Sequence, residues 1–150
     1  MIDIVSYSIN DRPDLAKQAN QIRQEVFVEE QNVDPVLEYD EYESVATHYL
    51  LFVEGIAVAT ARWRETSKGI KLERFATLCS HRNKGLGAIL LQDVMDDVLP
   101  IGKNIYLHAQ LNAISFYERQ GFAIIGEQFT EADIEHFEMK YSILPVDRQV

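Results

Sequence analysis

The chain is short of cysteine, of basic residues and of long apolar runs, and each shortage excludes a class of protein. Its single cysteine, Cys79, cannot form an internal disulfide or a multi-thiolate metal site. His48, His81 and His108 lack metal-ligand spacing with carboxylates, so we expect no metal site. No apolar run approaches the roughly 18 residues needed to span a bilayer, which predicts no membrane partner.

Acidic residues outnumber basic ones by 24 to 14, which gives a formal net charge of −10. Because nucleic-acid binding favours clustered lysine and arginine, we expect no nucleic-acid partner. The acidity is compatible with a cationic substrate, and it is also what an ordinary solvated surface produces. Residues 1–5 show no basic segment followed by an apolar stretch, so the sequence predicts no signal peptide and a soluble, cytoplasmic protein.

Length and residue pattern predict one globular domain over residues 1–150, with a homodimer left open. Strands are expected at 2–7, 46–53, 56–63, 70–78, 104–109, 122–129 and 134–143. Helices are expected from Pro13 onward, at 84–98 and at 113–120, with an irregular acidic segment over 29–43. This order predicts an α/β protein in which helices are layered on a mixed sheet.

Residues 82–87, Arg-Asn-Lys-Gly-Leu-Gly, lie between a predicted strand and a predicted helix. Glycines allow a close backbone approach and positive φ, and a helix N-terminus presents free N–H groups, so this loop is typical of a pyrophosphate site. A dinucleotide fingerprint would need glycine where Leu90 stands, and a P-loop would need Lys-Ser/Thr after Gly87. Both alternatives are therefore excluded.

The remaining pattern, Arg-x-x-Gly-x-Gly after a strand, resembles the acetyl-CoA loop of the GCN5-related N-acetyltransferase (GNAT) superfamily. A second segment, 112–122, is similar to that family's signature of an Asn, a short helix, a Tyr and Gly-Phe. Four further segments resemble the small ElaA-like subgroup: 26–31, 72–74, 108–110 and 134–136. These segments occur in the family's order along nearly the whole chain.

The resemblance implies a GNAT fold, α/β (α+β), with a mostly antiparallel mixed sheet and a parallel strand pair, 70–78 and 104–109, that splays apart. It also implies acetyl-CoA as cosubstrate. Backbone groups at the split would bind the pantetheine arm, from Phe75, Ala76 and Thr77. Backbone N–H groups of the loop would hold the pyrophosphate, from Arg82, Asn83, Lys84, Gly85, Leu86, Gly87 and Ala88. Asn112 would contact the cofactor, or cap its own helix, or both.

Acetyl transfer to an amine needs a base, a stabilised oxyanion and an acid for the thiolate. The resemblance suggests His136 as base, against a structural histidine at the sheet edge. Glu73 is the second candidate, against a salt bridge with Arg62, Arg64 or Arg74. Tyr117 matches the family tyrosine that protonates the thiolate, against a simple core aromatic. A backbone N–H near Phe75 or Ala76 would hold the oxyanion.

We therefore expect acetyl-CoA-dependent N-acetylation of a primary amine on a small molecule. Acetylation of a protein or peptide and coenzyme A binding without turnover are the alternatives. Acceptor choice is expected in residues 23–43, where some carboxylates would line a pocket for the amine: Glu25, Glu29, Glu30, Glu38, Asp40, Glu41 and Glu43. Alternatively, Arg23 or Arg62 would bind a carboxylate of the acceptor.

Overall fold

The computed structural model describes residues 1–142, in which seven strands form one sheet of order β1-β2-β3-β4-β5-β7-β6. The strands are β1 (Ile2–Tyr7), β2 (Thr47–Val53), β3 (Ile56–Thr66), β4 (Gly69–Thr77), β5 (Ile105–Gln110), β6 (Phe122–Glu131) and β7 (Ile134–Tyr141). All neighbours are antiparallel except β4 and β5, which are parallel. The mixed sheet and all seven predicted strands are confirmed; residue 143, the predicted end of the last strand, lies outside the described residues.

Helices cover both faces of this sheet. They are α1 (Pro13–Arg23), which continues into a π-helix (Gln24–Glu30), α2 (Pro35–Glu38), α3 (Leu86–Val98) and α4 (Ile114–Arg119). Short 3₁₀ helices lie at Cys79–His81, Leu99–Ile101 and Leu111–Ala113. Within residues 1–142, no helix is long and apolar enough to cross a membrane.

Two helix boundaries differ from those predicted. The helix expected at 84–98 begins at Leu86, because Gly85 has a φ of 80° and serves as its N-cap. The helix expected at 113–120 is divided into a 3₁₀ turn and α4, with Ala113 as the N-cap of α4. In both places a change in backbone conformation sets the start of the helix. The spacing of apolar residues does not show where that change occurs.

The core lies on both sides of the sheet. On the α3 face, the side covered by α3, Leu72 and Leu107 pack with Leu91. On the α1 face, the opposite side covered by α1, Leu50 packs with Ile22. Each strand alternates between these faces, so residues adjacent to an α3-face residue in β5 or β7 point to the α1 face.

A β-bulge and a strand separation shape the centre of the sheet. In β4, Arg74 and Phe75 lie opposite one residue of β3, and Arg74 has a φ of 58°. The extra residue reverses the alternation, so Phe75 packs with the α3-face core and Ala76 with the α1-face core. β4 and β5 pair only over 70–72 and 105–107 and then part, which confirms the predicted splayed pair.

Candidate active site

A cavity of about 670 Å³ lies where β4 and β5 separate. It is lined by nine of the predicted site residues: Glu73, Phe75, Ala76, Thr77, Arg82, Gly87, Asn112, Tyr117 and His136. The other predicted loop residues do not line it: Asn83, Lys84, Gly85, Leu86 and Ala88. The fold therefore brings the glycine loop, the end of β4, the Asn112 segment and His136 around one space.

The glycine loop presents free backbone donors. The first helical hydrogen bond of α3 runs from the Ile89 N–H to the Gly85 carbonyl at 3.2 Å, so the N–H groups of residues 86–88 have no acceptor within the helix. Gly85 needs its positive φ, whereas a Cβ on Gly87 would meet Phe116 at an ordinary 3.6 Å. The loop thus has the donors and the helix polarity that an anion needs.

The side chain of Arg82, the first residue of the loop, is held by an ion pair. Its guanidinium donates to both carboxylate oxygens of Glu30, at 2.7 and 2.9 Å, and to the Thr77 carbonyl at 2.9 Å. Glu30 ends the π-helix, 52 residues away along the chain, so the loop motif alone gives no sign of this pair. An incoming phosphate would compete with Glu30 for Arg82.

Asn112 lies in the 3₁₀ turn before α4 and lines the cavity. The N-cap position of α4 belongs to Ala113, and no side chain caps that helix. The expectation that Asn112 caps its helix is therefore wrong, because the intervening 3₁₀ turn moves the helix start one residue on. Its cavity position is compatible with the cofactor contact that the sequence predicts.

Tyr117 is enclosed by three aromatic rings. Phe75, Phe116 and Phe122 approach its ring edge-on, with centroids at 6.4, 5.1 and 5.9 Å. Burial raises the pKa of the Tyr117 hydroxyl, so the group stays a protonated phenol at neutral pH. Among residues 1–142 this hydroxyl has no hydrogen-bond partner, and the residue lines the cavity. A phenol so placed has a proton to donate.

His136 is the third residue of β7 and points to the α1 face. Its Nδ1 lies 2.7 Å from the Ile134 carbonyl, and its ring stacks on Phe129 at 5.8 Å. Because a carbonyl oxygen only accepts, Nδ1 carries the hydrogen, and in the neutral imidazole Nε2 keeps its lone pair. The residue is 6% exposed and lines the cavity, so its geometry suits a base.

Glu73 is surrounded by cations. Its carboxylate accepts from Arg62 at 3.0 Å and from Arg64 at 2.9 Å, and Lys71 lies at 3.2 Å. Burial pushes the pKa of Glu73 upward, but the charges of Arg62, Arg64 and Lys71 outweigh it and lower that pKa. These contacts correspond to the salt-bridge alternative that the sequence left open for Glu73. Lys71 is a partner in place of Arg74. A carboxylate held this way is a poor proton acceptor at neutral pH.

The acidic segment before β2 is largely committed to internal ion pairs. Arg23 binds Glu38 and Glu43, each at 2.7 Å, and Arg62 binds Asp40 at 2.7 Å. Arg23 and Arg62 are 2% and 1% exposed, so neither is free to hold a carboxylate of a ligand. Three further carboxylates of the segment are exposed and do not line the cavity: Glu25, Glu29 and Glu41. Glu38 and Asp40 do line the cavity, and both are held there in ion pairs with arginines.

The structure contains an ion pair, between His108 and Glu131, that the sequence did not predict. His108 Nδ1 and Glu131 Oε1 are 3.0 Å apart, and both residues line the cavity. His108 follows Leu107, an α3-face residue, so strand alternation alone places it on the α1 face. Glu131 is brought there by the pairing of β6 with β7, for which no local signal exists.

In residues 1–142, no group of three or more His, Cys, Asp or Glu side chains is arranged to hold a metal ion.

A family model described as an acetyltransferase (GNAT) domain matches residues 11–143. The chain belongs to the GNAT acetyltransferase family. The uncharacterized N-acetyltransferase YjcF of Bacillus subtilis is 36% identical over 125 residues, covering 82% of this chain and 89% of YjcF. Two solved structures each give a TM-score of 0.85 over 95% of this chain and 100% of theirs: an acyl-CoA N-acyltransferase from Pseudomonas aeruginosa, 25% identical, and Escherichia coli ElaA, 23% identical.

These similarities confirm the family and the fold that the loop and the Asn112 segment predicted. As a GNAT protein, the chain is an acyltransferase of the N-acetyltransferase type, and its family uses an acyl-CoA as cosubstrate. The likeness to ElaA, at 23% identity, concerns the fold.

Proposed function

We propose that this protein transfers an acetyl group directly from acetyl-CoA to the primary amine of a small molecule. The observation that carries the proposal is the cavity at the β4–β5 separation, which is lined by Gly87 of the loop as well as by Tyr117 and His136. Family membership supports the transferase chemistry, and the choice of acetyl donor and amine acceptor is our inference.

The donor would bind along β4. Beyond Leu72, the β4 edge that faces β5 has no strand partner among residues 1–142, so backbone groups on this edge would pair with the pantetheine arm, from Phe75, Ala76 and Thr77. The Thr77 carbonyl would first have to release the Arg82 guanidinium. The N–H groups of residues 86–88 would hold the pyrophosphate. A backbone N–H near Phe75 or Ala76 would stabilise the carbonyl oxygen as the amine attacks.

The remaining chemistry is proton movement. His136 Nε2 would accept the proton that the amine must lose, since an alkyl ammonium with a pKa of about 10 is otherwise protonated at neutral pH. As the carbon–sulfur bond breaks, the Tyr117 hydroxyl would give its proton to the sulfur. Glu73, tied to three cations, would keep the nearby charges in place instead of acting as the base.

A small acceptor suits the dimensions of the cavity. Its volume of about 670 Å³ must hold the end of the pantetheine arm as well as the acceptor. Phe27 of the π-helix and Leu37 of α2 also line it, so helical segments border the acceptor side. A peptide acceptor would need a longer open groove.

The test is release of free coenzyme A from acetyl-CoA across a panel of amines, with wild type and Tyr117→Phe. We expect Tyr117→Phe to lower kcat by about 100-fold or more while the affinity for coenzyme A is unchanged. Tyr141→Phe is the matched control, because Tyr141 packs on Phe122 and does not line the cavity. Coenzyme A binding without turnover on any amine would overturn the proposal, and an unchanged Tyr117→Phe rate would remove its assigned role.

A further inference from the structure

Nine charged side chains form one connected ion-pair network, the β3–β4 network, on the α1 face. Its five cations are Arg23, Arg62, Arg64, Lys71 and Arg74, and its four carboxylates are Glu38, Asp40, Glu43 and Glu73. The side chains are at most 23% exposed. The network therefore holds one positive charge more than its own carboxylates balance, in a place where solvent screens it little.

Lys71 and Arg64 are the cations of the network with the fewest carboxylate partners. Both line the cavity, and Glu73 is the carboxylate that each contacts within the described residues. Glu73 is shared with Arg62, which has Asp40 and Glu43 as additional partners. Lys71 has the weaker hold, with one ion pair at 3.2 Å and 13% of its side chain exposed. Its ammonium therefore keeps donors available to a ligand.

A second ion-pair set, the His108 set, borders the same cavity through His108 and Glu131. It joins Lys68 to Glu138, and His108 to both Glu138 and Glu131. The set thus links one lysine and one histidine to two carboxylates, and Glu131 has His108 as its partner within the described residues. The hydrogen bond with His108 lowers the pKa of Glu131 to about 2, and the charges of Lys71 and His136 contribute in the same direction. Glu131 lines the cavity together with Lys71 and the proposed base, His136.

We propose that the acceptor carries a carboxylate beside its amine, as an α-amino acid does. The carboxylate would bind at Lys71 and Arg64, and the ammonium group would first lie near Glu131, within reach of His136. This inference rests on the proposed function for the fate of the amine. In place of the expected acidic pocket, the site would bind a carboxylate at one end and an ammonium group at the other. The carboxylate partner would be Lys71 and Arg64, and not Arg23 or Arg62 as the sequence suggested.

The experiment compares amino acids with their own carboxamides, which keep the amine and side chain but lack the negative charge. Acetylation is measured as kcat/KM, and binding is measured by calorimetry on protein saturated with coenzyme A. For the preferred side chain, we expect the acid to exceed the amide by about 10- to 100-fold, which is the range for a hydrogen bond to a charged group. Lys71→Met should abolish this preference and Lys71→Arg should restore most of it. Lys103→Met, on an exposed surface pair with Glu65, should leave it unchanged.

The outcomes separate this inference from the proposed function. Equal use of acid and amide, or a preference that survives Lys71→Met, overturns the carboxylate site while acetyl transfer stands. If amino acids bind through Lys71 but no amine of any kind is acetylated, the carboxylate site stands and the proposed function fails. Acetylation of amines without any amino acid binding or turning over also overturns the inference.

Discussion

The donor and acceptor sides of the cavity are built in different ways. On the donor side, backbone conformation forms the site: Gly85 sets the start of α3, and Arg74 in the bulge turns Phe75 toward Tyr117. On the acceptor side, side chains from distant segments form it, as in the pairing of Arg62 with Asp40, 22 residues away. A site formed by backbone groups can be predicted from a short sequence motif. A network of side chains from distant segments depends on contacts that form only in the folded chain.

The largest expected effect is on the acceptor side. Arg62→Met leaves Asp40, Glu43 and Glu73 without their common partner, and breaking a buried ion pair costs about 3–5 kcal/mol. Urea unfolding measures this loss. Arg12→Met is the matched control, because Arg12 pairs with Asp14 in solvent, where an ion pair contributes little to stability. If Arg62→Met loses no more unfolding free energy than the control, the network contributes little to the stability of the fold.

The same variant has a pH signature. Burial pushes the pKa values of Asp40 and Glu73 upward, but Arg62 and its neighbours outweigh burial and lower both pKa values. Groups with lowered pKa values stabilise the fold above their ordinary values, 3.8 and 4.5, and lose that contribution as the pH falls. The difference in unfolding free energy between wild type and Arg62→Met should therefore be full at neutral pH and shrink below about pH 4.5.

The second test asks which residue is the base, His136 or Glu73. It shows whether the acceptor side takes part in proton transfer or only balances charge. His136→Gln should lower kcat by about 100-fold or more without changing coenzyme A affinity. Raising the pH should recover part of the rate, because more of the amine is then unprotonated. Glu73→Gln should lower stability and leave kcat within a few-fold. The reverse pattern, with activity lost in Glu73→Gln alone, would make Glu73 the base.

Local patterns predict most of the fold and the donor side. The alternation of apolar and polar residues predicts the seven strands, and the glycine loop with the Tyr117 segment indicates the family. Each of these signals lies within a few adjacent residues. The partners of Glu73, the Glu30 contact of Arg82 and the placement of Glu131 depend on strand register and on segments far apart in sequence. Charge composition alone could not separate a carboxylate that faces a ligand from one already held by an arginine.

The smallest expected effect concerns the ion pair between the end of the π-helix and the glycine loop, Glu30 with Arg82. Because a phosphate must compete with Glu30, Glu30→Gln should tighten coenzyme A binding by about 2- to 5-fold, less as salt rises, since both side chains are more than a third exposed. Calorimetry measures the change, and Glu29→Gln, an exposed neighbour, is the control. A donor lacking the pyrophosphate, acetylated pantetheine, should bind both variants and wild type equally. Weaker coenzyme A binding by Glu30→Gln would mean instead that Glu30 holds Arg82 and the loop in the binding conformation.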